Sequence, residues 1–142
     1  MRPSTTPLRI AMVCYPALGG SGVIASELAL ALAGRGHRVH LVATSLPERL
    51  RATAVKFEHV EVPSSPVFEH APYGEAVAGH LIELARREPV DLVHLHYAVP
   101  HAASALLAMA VLGPAAPAPQ RVYVCRVRQV VPVLASSKWE SA

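Results

Sequence analysis

The sequence predicts an α/β domain, a parallel sheet covered by helices on both faces, and three observations lead there. Short runs rich in Val, Ile and Leu recur along the chain and suit strands buried on both sides. Segments between them carry apolar residues at helical spacing. The two kinds of segment alternate, which implies parallel strands with helical crossovers.

Residues 8–14 (LRIAMVC) form the first strand, an apolar run bounded by Pro7 and Pro16. The run ends in Gly19-Gly20-Ser21-Gly22, after which Ile24, Leu28, Ala31 and Leu32 recur at helical spacing until Gly34 and Gly36 stop the pattern. Residues 38–44 (RVHLVAT) read as a second strand and residues 56–62 (KFEHVEV) as a third, with a charged loop at 47–51 between them. A Pro-rich loop follows at 63–72 (PSSPVFEHAP), and a long connection at the end of a strand often borders a ligand site. Residues 74–88 form a helix with Val77, Leu81 and Leu84 on one side and Glu83, Arg86 and Arg87 on the other; Pro89 ends it. Residues 90–96 (VDLVHLH) are the fourth strand, and Tyr97-Ala98-Val99-Pro100 turns into an apolar helix over 101–112. Past a Pro/Ala linker at 113–119, residues 121–127 (RVYVCRV) allow a fifth strand. The expected organisation is one domain over 1–119 and a divergent tail over 120–142 holding one further strand.

A chain of 142 residues suits one domain that buries about two-thirds of its unfolded surface. Hydrophobic residues at 52% against 16% charged exclude a disordered chain. The net charge of +3 is small, and Arg35, Arg49, Arg51, Arg86 and Arg87 are scattered rather than massed, so nucleic acid is not expected as a partner. The longest apolar stretch, residues 102–112, is too short to span a membrane, and residues 1–7 lack the apolar segment of a signal peptide. Two cysteines, Cys14 and Cys125, make no disulfide framework; both are expected in the core, and a cytoplasmic location follows.

In sheets of this kind ligands bind outside the carboxyl ends of the strands. That puts Gly20, Ser21 and Gly22 on the same rim as residues 96–101. A glycine loop before a helix lets backbone approach a ligand and aims free N–H groups at phosphate or carboxylate. The plainer alternative is a tight turn with Ser21 as helix cap. Gly20, Gly22 and Ala25 fit the loose dinucleotide pattern G-x-G-x-x-A. However, four residues separate strand from glycines and no acidic residue closes the second strand, so no nicotinamide cofactor is expected. A Walker loop is excluded by the missing Gly-Lys-Ser/Thr. His94 and His96 share one face of a strand and His101 follows, but histidines without Cys, Asp or Glu beside them are a poor metal set, and no metal is expected. Ser21 and Ser104 lack a nucleophile elbow and Cys14 reads as packed, so no catalytic residue is assigned.

Taken together, CYPALGGSGVIASELALALAGRGHRVHLV, LPERL, PVFEHAPY and DLVHLHYAVPHA resemble the start of the family 4 retaining glycosyltransferases of the GT-B fold. The Cys14-Tyr15-Pro16 and His96-Tyr97-Ala98-Val99-Pro100-His101 pieces resemble the members that transfer N-acetylglucosamine from UDP-N-acetylglucosamine to L-malate in bacillithiol biosynthesis. The resemblance implies a Rossmann-like N-terminal, acceptor-binding half of a GT-B fold. Gly20, Ser21 and Gly22 would offer donors to malate carboxylate or phosphate, Tyr97 would touch malate, and His96 and His101 would shape the wall. It implies no cofactor beyond the two substrates.

Over this sequence the resemblance is expected to end near Gly113. Family members carry a later His-Gly-Thr-Asp segment, whereas no histidine follows His101 here, and the domain that holds the UDP-sugar is not part of the 142 residues. The chain alone is therefore expected not to turn over, with a separately encoded second half or self-association as partners. The alternatives are a non-catalytic small-anion-binding module and a nonfunctional gene remnant.

Overall fold

A computed structural model describes residues 6–15, 20–50, 53–113, 121–126 and 129–135. The elements run β1 (Arg9–Val13), α1 (Ser21–Gly34), β2 (Arg38–Ala43), β3 (Lys56–His59), α2 (Tyr73–Arg87), β4 (Leu92–Leu95), α3 (Ala103–Leu112), β5 (Arg121–Arg126) and β6 (Gln129–Ala135). They build one sheet in the order β3-β2-β1-β4-β5-β6. The first five strands are parallel, and β6 returns antiparallel along β5. The α/β, Rossmann-like class read from the sequence is the one observed.

Strand alternation divides the core in two. Ala11, Val13, Val93, Leu95 and Val122 face Val77, Leu81 and Leu84 of α2 and Ala105 and Ala108 of α3. Met12, Cys14, Val39 and Leu41 face Ala25 and Ala29 of α1 on the other side. Helices therefore cover both faces, which is why the strands read as continuous apolar runs rather than alternating ones.

Helix α2 buries Val77, Leu81 and Leu84, the face its spacing predicts. Helix α1 does not follow its predicted face. Its buried residues are Gly22, Ala25, Ser26 and Ala29, while Ile24 is 58% exposed and Leu28 and Leu32 pack only at the flanks. Small side chains at i, i+3, i+4 and i+7 let the helix axis approach the sheet closely, and larger neighbours are pushed aside. Ser26 also hydrogen-bonds back to the Gly22 carbonyl at 2.7 Å. Gly20, not Ser21, occupies the cap position of α1, with φ +62°, and no side chain caps the helix. At the other end Gly36 (φ +91°) donates its N–H to the Ala33 carbonyl and His37 donates to Leu32, a Schellman closure that suits glycine.

Several elements are shorter than expected, β3, β4 and α3 most of all. β3 stops at His59, although the Val60 N–H still reaches the Ala43 carbonyl at 2.9 Å before Pro63. β4 is bracketed by single bonds from Asp91 N–H to Arg9 and from His96 N–H to Val13. α3 begins at Ala103, after an irregular turn over Ala98–Ala102 in which Val99 is extended. The tail, expected to add one strand, contributes two, and Val122 of β5 is fully buried. Gly19, most of the 113–119 linker, residues 1–5 and the last seven residues lie outside the described residues, as does the Cys125 side chain. Cys14 is buried as expected. No helix among the described residues is long and apolar enough to cross a membrane.

Candidate ligand-binding crevice

The strand order reverses between β1 and β4: the chain leaves β1 towards β2 on one side and β4 towards β5 on the other. Outside the carboxyl ends of two such strands a crevice opens, the position where open α/β sheets hold ligands. Cys14 and Tyr15 follow β1 there, and His96 and Tyr97 follow β4. The N-terminus of α1, with Gly20, Ser21 and Gly22, comes to the same rim after β1. Among the described residues no side chain caps its first N–H groups, and Ser21 is partly exposed.

Aromatic rings make one wall. Tyr15 is the hub: it stacks on Tyr73 at 5.3 Å between centroids and 17° between planes, meets Tyr97 edge-on at 5.4 Å, and lies 4.7 Å from the His101 ring. These are favourable aromatic separations, each worth about 1 kcal/mol beyond the area it buries. The Tyr73 hydroxyl sits 2.9 Å from His101 Nε2. Tyr97, 45% exposed, is the ring of this group most open to solvent. His94 and His96 lie on the opposite face of β4 from Val93 and Leu95, with their rings 4.9 Å apart.

The histidines are buried and neutral at pH 7. Burial pushes His101 down to about 4; burial, then the nearby His94 and His101, push His96 down to about 4, and His94 moves in the same direction through burial. Each neutral ring offers one donor and one acceptor. His94 Nδ1, His96 Nε2 and His101 Nδ1 are buried without a partner among the described residues. Burial raises the Tyr73 hydroxyl, aided by Tyr15 and Cys14, and takes the Cys14 thiol up to about 12. Cys14 is thus a protonated core thiol rather than a nucleophile.

His94, His96 and His101 do not converge as a metal set. Among the described residues, the trio of ligating groups that gathers within 4.8 Å is instead His40, Glu58 and Glu88. Glu58 already accepts from Arg87 at 2.8 and 2.9 Å and pairs with His40 Nδ1 at 2.9 Å and His80 at 3.3 Å. Glu88 lies 3.5 Å from Lys56. This network ties β2 and β3 to the C-terminal end of α2, at the opposite end of the sheet from the crevice.

Of the residues singled out from the sequence, Tyr97 and His101 come together with Tyr15, His96 meets His94 rather than Tyr15, and Gly20, Ser21 and Gly22 stand at the α1 end of the same rim. Tyr73 was not anticipated. Its position at the close of the Pro-rich loop, which was expected to border a ligand, was the available clue.

The sequence profile of Glycosyltransferase Family 4 matches residues 18–125, more than half of the chain. The chain belongs to glycosyltransferase family 4. The match reaches into β5, beyond Gly113 where the resemblance was expected to end. An N-acetyl-alpha-D-glucosaminyl L-malate synthase from Bacillus anthracis is 44% identical over 108 residues, 75% of this chain and 28% of that protein. The chain thus spans somewhat over a quarter of that relative. A glycosyltransferase from Rickettsia africae superposes with a TM-score of 0.54 at 20% identity, covering 73% of this chain and 27% of the other. The C-terminal domain of a Pyrococcus furiosus hydrogenase superposes at 0.53 with 15% identity, over 86% and 97% of the two chains. Both superpositions show the shared α/β fold. That two such different proteins match equally well leaves function to the family match.

Proposed function

We propose that this chain is the acceptor-binding part of a retaining glycosyltransferase that transfers N-acetylglucosamine from UDP-N-acetylglucosamine to L-malate. The observation that carries the proposal is the 44% identity over 108 residues to an enzyme named for that product. The crevice is chemically suited to it. Backbone N–H groups at Gly20 to Gly22 and the Ser21 hydroxyl suit a carboxylate or a phosphate. Tyr97, 45% exposed, would offer its hydroxyl to malate, and neutral His96 and His101 form a wall that adds no charge. Transfer needs donor and acceptor held together while charge develops on the leaving diphosphate. In this reading a sugar-nucleotide half completes the site, and the 142 residues by themselves bind without turnover.

Thermal unfolding with and without L-malate tests the reading. A ligand that binds only the folded state adds about 1.4 kcal/mol of stability at ten times its Kd. The expected result is a malate-dependent rise in midpoint that shrinks in Ser21→Ala and Tyr97→Phe. A cooperative transition indifferent to malate would refute it, as would sugar transfer by the isolated chain for the claim that a second half is required.

A further inference from the structure

Tyr73 is the first residue of α2, just past the Pro-rich loop, and its turn is closed by its own N–H on the Ala71 carbonyl at 2.8 Å and by Ala76 N–H on Pro72 at 3.0 Å. From there the ring lies flat on Tyr15 and the hydroxyl crosses to His101, 28 residues later in the chain. His101 is fully buried, and packing alone leaves two features of a neutral imidazole open. The ring can turn over about its Cβ–Cγ bond, exchanging nitrogen for carbon positions, and the proton can sit on either nitrogen. A hydroxyl on Nε2 settles both, because only one ring orientation brings a nitrogen to it and the nitrogen it meets must be donor or acceptor to match.

Resting on the function proposed above, we infer that Tyr73 is a positioning residue: it donates its O–H to His101 Nε2, placing the His101 proton on Nδ1, so that the crevice wall carries an N–H donor in fixed orientation. The direction follows from chemistry. A phenol is a much better donor than a neutral imidazole N–H, and an imidazole lone pair is a better acceptor than a phenol oxygen. Nδ1, on the far side of the ring from Tyr73, has no partner among the described residues. A buried donor left unmatched is costly, and an acceptor oxygen brought against Nδ1 would satisfy it. Tyr15, stacked on Tyr73 and 4.7 Å from the His101 ring, holds both partners in place.

The test is long-range ¹H–¹⁵N NMR of the histidine rings in the full chain, with His101 assigned by its loss in His101→Gln. Wild type is expected to show a single neutral tautomer at His101 with the proton on Nδ1. Tyr73→Phe keeps the stacked ring and removes the hydroxyl; it is expected to give mixed tautomers and a higher His101 pKa, because the bond that favours the neutral ring is gone. A wild-type His101 with its proton on Nε2 overturns the inference, as does a Tyr73→Phe spectrum and titration identical to wild type. The wild-type spectrum decides the tautomer even where the variant fails to fold. The malate Kd is expected to rise about fivefold in Tyr73→Phe. Wild type that binds no malate refutes the proposed acceptor, while the tautomer result stands or falls separately.

Discussion

Lowering the pH from 7 to 5 is expected to destabilise the fold steeply, while most carboxylates are still ionised. His96 and His101 titrate near 6.5 in an unfolded chain but are held at about 4 in the fold, His101 chiefly by burial and His96 by burial with His94 and His101 adding. Their contribution is fully present above 6.5 and is lost as pH falls from 6.5 towards 4, because in that window the unfolded chain binds protons that the folded one refuses. For one such group the loss between pH 7 and pH 5 is about 2 kcal/mol. Two groups together lose about 4 kcal/mol, a large part of the stability of an ordinary domain. The midpoint of thermal unfolding should drop by roughly 10 °C or more across those two pH units. Calorimetry or circular dichroism at pH 7, 6 and 5 measures it, and His101→Gln should remove about half of the drop. A midpoint that is flat from pH 7 to pH 5, or a His101→Gln chain with the wild-type slope, would refute the claim that these rings are buried and neutral.

Three further outcomes follow from the packing. Ala29→Leu on the buried stripe of α1 should cost about 1–3 kcal/mol by overpacking, whereas Ile24→Ser, at an exposed position on the same helix, should change urea midpoints little. Gly36→Ala should cost about 1 kcal/mol through its φ of +91° alone, since a Cβ there would meet open space. Burial works to raise Glu58, but hydrogen bonds from His40 and Arg87, the charge of Arg87 and a bond from His80 together hold it below 4.5, so its stabilisation is lost as pH falls below that value. In Glu58→Gln that acid-side loss should disappear, at a cost of about 2 kcal/mol near neutrality, as read by urea unfolding against pH.

The legible parts of the chain were those where hydrophobicity alone decides the outcome. α2 is amphipathic, so Val77, Leu81 and Leu84 declared the buried face. α1 and α3 are apolar almost all round, and there size decides instead: Ala25 and Ala29 go inward while Ile24 stays out, and Ala105 and Ala108 go inward while Leu106 and Leu107 stay partly exposed. A hydrophobic pattern carries no information about how closely a helix can approach a sheet. β6 escaped because Pro132 within it argues against a strand, yet the strand lies at the sheet edge, where a missing N–H is tolerated. The rim of the crevice was foreseen from strand-end positions, since Gly20 to Gly22 and His96 to His101 are each local. Tyr73 was not, because its contact with His101 is made by the fold across 28 residues.

The aromatic group at the crevice also gives the protein a built-in optical reporter. The chain has four tyrosines, and three of them, Tyr15, Tyr73 and Tyr97, lie ring to ring around His101. Transition dipoles at such separations couple, so the tyrosine part of the near-ultraviolet dichroism, distinct from that of the single tryptophan, should come chiefly from this one locus. A small acid that absorbs no light in that region would still register when it shifts Tyr97 against Tyr15, and occupancy of the crevice becomes readable without a label.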